Sequence, residues 1–179
     1  MNLTGSASGN YVLDGADPVE FAACTSFTFD GGDGDDKFVL NQSLATLGSG
    51  CVINVNGQGN STTPGDKVEI QAGSFDTVTY NYSNANDGNI QLDPDGPGGT
   101  AAAVINFTGL EPITNSGTAV DVIFNLPATA DDAFLENDET VGNDTSRLRS
   151  NNSTFEVTTF ANPTGSLTIN AGGGDDTVT

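Results

Sequence analysis

The chain has 179 residues, with 4 Lys+Arg against 24 Asp+Glu, a formal net charge of −20, and neither His nor Trp. Such a charge repels nucleic acid and anionic membrane surfaces, and the lack of imidazole excludes His-based acid–base or nucleophilic catalysis and His-ligated zinc. Hydrophobic residues make up 35% and aromatics 7%, enough for one domain with a core of Val, Ile, Leu and Phe.

The opening "MNLTGSASGNYVL" lacks the basic and apolar regions of a secretory signal, and no run of apolar residues is long enough to span a membrane. Short alternating runs then follow, bounded by Gly, Asn, Asp and Pro. Strands are predicted at Phe27–Phe29, Val52–Val55, Lys67–Ile70, Thr77–Tyr82, Val104–Phe107, Asp121–Phe124 and Ser166–Ile169. No window carries a convincing helical period; "FLENDETVGNDTSRLRS" comes nearest, but Gly142 and its Asn, Asp and Thr residues argue against a helix. "LDPDGPGG" and "ENDETVGNDTS" read as long loops. The chain stops at "GGGDDTVT" just as a strand begins, so residues 1–179 are expected to be one segment of a longer protein.

Three stretches look like copies of one unit: "FTFDGGDGDDKFVL", "INVNGQGNSTTPGDKVEI" and "LTINAGGGDDTVT". Phe29 aligns with Val55 and Ile169, and Asp36 with Asp66 and Asp176. The middle copy has four extra residues, placed in Ser61–Pro64. The 26-residue step from Phe29 to Val55 suits one coil of a solenoid. The expected fold is all-β, a right-handed parallel β-helix with long loops; a β-sandwich carrying a few β-helical coils is the alternative.

The stretch "GGDGDDKFV" meets the template G-G-x-G-x-D-x-U-x at Gly31, Gly32, Gly34, Asp36 and Phe38, and "AGGGDDTVT" meets it with Ala171 in the first place. These stretches resemble the RTX, or haemolysin-type, calcium-binding nonapeptide, in the isolated form found in very long repetitive bacterial surface and secreted proteins. The resemblance implies Ca2+ as cofactor. Asp30, Gly32, Asp33, Gly34, Asp35, Asp36, Asp66 and Asp176 are the candidate ligands, since glycines aim carbonyls inward and Asp supplies hard anionic oxygen. In tandem RTX arrays each ion is shared between neighbouring turns, whereas here the two good copies are far apart. The competing reading is a polar glycine corner without metal.

The Asp pairs 35/36, 131/132 and 175/176 are no catalytic dyads by themselves, because adjacent strand residues point to opposite faces. Arg147 and Arg149 read as a solvated edge that relieves local acidity. Cys24 and Cys51 are separated by about one coil, which makes a disulfide a candidate; with Phe27 and Phe29 inward, however, Thr25 is in register with Cys51, so the bridge needs a corner or bulge. The expected function is that of a non-catalytic structural or adhesive module, extracellular or on a bacterial cell surface. Expected partners are calcium, surface glycans or neighbouring copies end to end, with neither nucleic acid nor membrane insertion. The alternative function is a carbohydrate-binding or carbohydrate-cleaving β-helix, with Tyr80 and Tyr82 as the aromatic platform.

Overall fold

The computed structural model describes residues 2–5, 10–13, 19–20, 26–41, 50–59, 62 and 64–179. No helix occurs among them, and hence none long and apolar enough to cross a membrane. The strands are β1 (Asn2–Gly5), β2 (Asn10–Leu13), β3 (Val19–Glu20), β4 (Ser26–Asp33), β5 (Lys37–Asn41), β6 (Val52–Gly59), β7 (Lys67–Gln71), β8 (Ser74–Tyr82), β9 (Gly88–Asp93), β10 (Ala103–Thr108), β11 (Ile113–Asn115), β12 (Thr118–Asn125), β13 (Asp132–Asn137), β14 (Thr145–Ser150), β15 (Thr158–Ala161), β16 (Ser166–Asn170) and β17 (Thr177–Val178). They form two mixed, open sheets. One has seven strands in the order β16-β12-β8-β9-β10-β6-β4; the other has ten, in the order β17-β13-β14-β15-β11-β7-β5-β1-β2-β3.

The expected registers are present. Phe29 stands opposite Val55 in the parallel pair β4·β6, and Phe38 opposite Val68 in β5·β7. β12 and β16 continue this with Phe124 opposite Ile169. Period-two alternation sends one row of each sheet inward; β6 and β7 alternate between half-buried and buried along nearly their whole length. The inner rows meet between the sheets. Phe38 of the ten-stranded sheet lies 5.6 Å from the Phe29 ring, and Phe124 lies 5.0 Å edge-on to Phe160.

The middle of the chain departs from uniform stacking. β8, β9 and β10 form an antiparallel meander, and so do β13, β14 and β15. β6 is therefore followed in the sheet by β10, not by β8. The stretches "LDPDGPGG" and "ENDETVGNDTS" are the reversals that permit this: Gly96 and Gly142 adopt φ of +82° and +80°, conformations that cost glycine little.

The outer face of the seven-stranded sheet carries a polar row in register: Thr28, Asn54, Asn106, Asn89, Asn81, Asn125 and Asn170. Asn106 Nδ2 donates to Asn54 Oδ1 at 3.0 Å, Asn125 to Asn81 at 2.6 Å and Asn170 to Asn125 at 2.7 Å. An Asn side chain both donates and accepts, so it can bond to a like neighbour on each side.

One expectation about side chains changes. Tyr80 and Tyr82 do share a face, but it is the inner one, and they are 0% and 5% exposed. Asn115 Nδ2 donates to Tyr80 Oη at 2.9 Å, and Tyr82 Oη bonds the Thr158 hydroxyl at 2.5 Å. Tyr80 stacks on Phe124 with centroids 4.7 Å apart. They are core residues with satisfied hydroxyls, not a glycan platform. Arg147 and Arg149 both reach Glu136, at 2.8 and 2.7 Å, and the Arg149 guanidinium covers the Phe134 ring at 4.4 Å. Cys51 is buried; Cys24, and with it the disulfide candidate, lies outside the described residues.

Candidate functional site

The chain crosses from the seven-stranded to the ten-stranded sheet at β4→β5, β6→β7, β10→β11, β12→β13 and β16→β17. Each crossing ends on an acid: Asp36, Asp66, Glu111, Asp131 and Asp176. Glu156 stands in the same place before β15. Continued toward the N-terminus, the registers Phe38↔Val68, Val68↔Ile113 and Ile113↔Thr158 put Asp36, Asp66, Glu111 and Glu156 on successive rungs. Asp132↔Thr177 does the same for Asp131 and Asp176.

The first rung of this column is built by the glycine turn. Gly32 and Gly34 take φ of +94° and +134°, closely matched by Gly172 and Gly174 at +82° and +129°. The two nonapeptide-like stretches thus share a backbone conformation as well as residues. A Cβ on Gly57 would lie 2.4 Å from Gly109 O and 2.6 Å from Asp66 Oδ2. Glycine is needed there because carbonyl and carboxylate occupy the space a Cβ would take.

The carboxylates do defined work at this corner. Asp36 N–H donates to Asp66 Oδ1 at 2.6 Å, while Lys67 N–H donates to Asp36 O at 2.8 Å. The far step repeats the pattern: Asp131 N–H donates to Asp176 Oδ1 at 2.9 Å, and Thr177 N–H to Asp131 O at 2.8 Å. Each lower Asp therefore caps the backbone of the rung above it. Asp66 and Asp131 are 1% and 2% exposed.

Among the predicted ligands, Asp36 and Asp66 come together. Asp30 points outward and accepts from Asn56 Nδ2 at 2.6 Å. Asp35 accepts from Thr62 N–H at 3.0 Å and from its hydroxyl. Asp33 is exposed, and Asp176 lies on the separate step with Asp131. Among the described residues no three His, Cys, Asp or Glu side chains converge as a metal cluster. What fits a cation at the glycine turn is narrower: Asp36 Oδ2 is buried, receives no hydrogen bond and lies 3.1 Å from where a Gly31 Cβ would be.

Glu111, Asp131 and Glu156 were not among the predicted ligands. For Asp131 a partial signal existed: Asp pairs occur at 35/36, 131/132 and 175/176, but at 131/132 it is the first Asp, not the second, that precedes the strand. Glu111 and Glu156 have no such signature. They line a cleft of about 330 Å3 with Asn86, Ser150, Ser153 and Phe155. Glu156 is 7% exposed, and burial, with the Glu111 charge adding to it, pushes its carboxyl up to about 8. Burial likewise raises Asp131, reinforced by Asp176. A second groove, of about 420 Å3 and bordered by Asp76, Asp93 and Asp121, has no aromatic residue in its lining.

Comparison with protein-family models, with curated proteins and with solved structures yields no match for this chain.

Proposed function

We propose that the chain is a non-catalytic structural module, a right-handed parallel β-helix with hairpin insertions, belonging to a large secreted or cell-surface bacterial protein and stabilised by calcium. The observation that carries this reading is the acidic corner: an acid stands at every crossing, Asp36, Asp66, Glu111 and Glu156 share one register column, and the same backbone-to-carboxylate bond joins Asp36 to Asp66 and Asp131 to Asp176. Repetition of that kind serves stacking, since each rung supplies the cap for its neighbour. The Asn row on the outer face supports the same reading. Calcium is supported by the buried, donor-free Oδ2 of Asp36 beside Asp66, because two close carboxylates favour an intervening cation. The carbohydrate reading loses its platform with Tyr80 and Tyr82 in the core.

Calorimetry on the chelator-treated chain tests this. With about 1 mM CaCl2 the melting temperature is expected to rise by roughly 5–10 °C through binding to the native state, and Asp36→Ala to remove most of that gain. Identical unfolding curves in calcium and in chelator would end the calcium part. Turnover or saturable binding of a polysaccharide would end the structural part.

A further inference from the structure

At the step between β13 and β17 the acids are bonded as at the glycine turn, but the burial is exchanged: Asp131, in the place of Asp36, is the buried one, and Asp176, in the place of Asp66, is not. Asp176 Oδ1 accepts the Asp131 N–H at 2.9 Å. The Asp131 side chain has no comparable partner. The residue is 2% exposed, and neither Oδ1 nor Oδ2 accepts a hydrogen bond from a described residue. The Thr154 hydroxyl is near enough to favour its ionised form, yet donates to Asn152 Oδ1 at 3.2 Å. The chain's few basic groups lie elsewhere: Lys37 on Glu69, Arg147 and Arg149 on Glu136, and Lys67 in β7.

A carboxylate removed from water without a donor or counter-charge is strongly disfavoured. Asp176 makes this worse by placing a second carboxylate beside it. A proton on Asp131, with the Thr154 hydroxyl near enough to accept its hydrogen bond, would relieve the repulsion, and a cation has to compete with that protonated form. A small cation would neutralise both charges, with the two unpartnered Asp131 oxygens and the Asp176 carboxylate as its protein ligands.

We propose that Asp131 and Asp176 form a seat for a hard divalent cation, calcium by ligand type, at a step that lacks a full glycine-aspartate repeat on its Asp131 side. Two carboxylates with water complete an oxygen shell of the flexible kind calcium accepts and magnesium does not. The seat extends the calcium reading above to a second step, and because it shares no residue with Asp36 the two are tested apart.

The test is titration calorimetry with CaCl2 on the chelator-treated full chain and on three variants. Asp176→Asn keeps an Oδ1 to accept the Asp131 N–H, so it removes charge while preserving the cap. Asp131→Asn removes the buried charge, and Asp36→Asn reports on the glycine turn. Asp176→Asn and Asp131→Asn are each expected to weaken one binding event by at least about tenfold, the effect of losing one anionic ligand, whereas Asp36→Asn leaves that event unchanged. If the wild-type chain binds no calcium, or if Asp176→Asn binds as the wild type does, the seat does not exist. If Asp36→Asn alone abolishes binding, the glycine-turn reading stands and this one falls. Should Asp131→Asn not fold, as judged by circular dichroism, the Asp176→Asn titration decides.

Discussion

At Glu156 burial and a neighbouring charge act in the same direction. The side chain accepts the Val157 N–H at 2.8 Å, which favours the carboxylate, but burial outweighs that bond and Glu111 on the adjacent rung opposes ionisation further. The carboxyl is raised from 4.5 to about 8. Folding therefore takes up a proton between those values. The stabilisation is fully present below the unfolded value near 4.5 and is lost as pH rises through about 8. Glu156→Gln, neutral at every pH and of similar shape, is expected to melt progressively above the wild type as pH goes from 6 to 9. Melting curves across that range check it. A constant gap between the two proteins would show that Glu156 does not titrate there.

At the scale of the strand and its turn, the glycines separate into those under pressure and those in open space. A Cβ at Gly57 would collide with Gly109 O and Asp66, so Gly57→Ala is expected to cost about 1–3 kcal/mol through overpacking. Gly173, one residue inside an equivalent turn, has nothing within 4 Å of an added Cβ and no positive φ, so Gly173→Ala should be close to neutral. Urea denaturation of both variants checks the pair; equal losses would mean that contact at Gly57 is not what demands glycine. The same division explains what could be read from the residues alone. Where strand, glycine turn and Asp follow one another without interruption, as from Phe27 to Leu40, alternation and turn chemistry fix both the strand and its register, and Asp36 and Asp66 align across the insertion between them. The β8–β10 meander was not legible, because a strand's residues do not say whether it will continue the stack or reverse within the sheet. Tyr80 and Tyr82 show a related limit: a period of two assigns them one face but not which side of the sheet that face is on. Glu111 precedes Pro112 in a crossing without a glycine-aspartate run, so only the tertiary register places it in the acidic column.

Across the whole molecule, the sheet edges and the net charge pull in opposite directions. β4 and β16 are the outer strands of the seven-stranded sheet, and their inward residues Phe27, Phe29, Leu167 and Ile169 are only partly buried against the core. β17, at one edge of the ten-stranded sheet, leaves Val178 47% exposed. Strands of this kind offer unpaired backbone groups and apolar rows to another strand. A chain of −20 charge resists such contact through long-range repulsion, which salt screens over a Debye length of about 4–5 Å at ~0.5 M. Reversible end-to-end association that strengthens with salt is therefore expected, because the attraction is short-ranged and the repulsion is not. Sedimentation equilibrium should show an average mass that rises with protein concentration, more steeply at high salt. Ile169→Asp, which places a charge in the β16 row, should flatten that rise without unfolding the chain. A mass that stays monomeric at the highest concentration and salt would mean that both edges are protected, and the stacking surface would then end within this chain instead of passing to a neighbour.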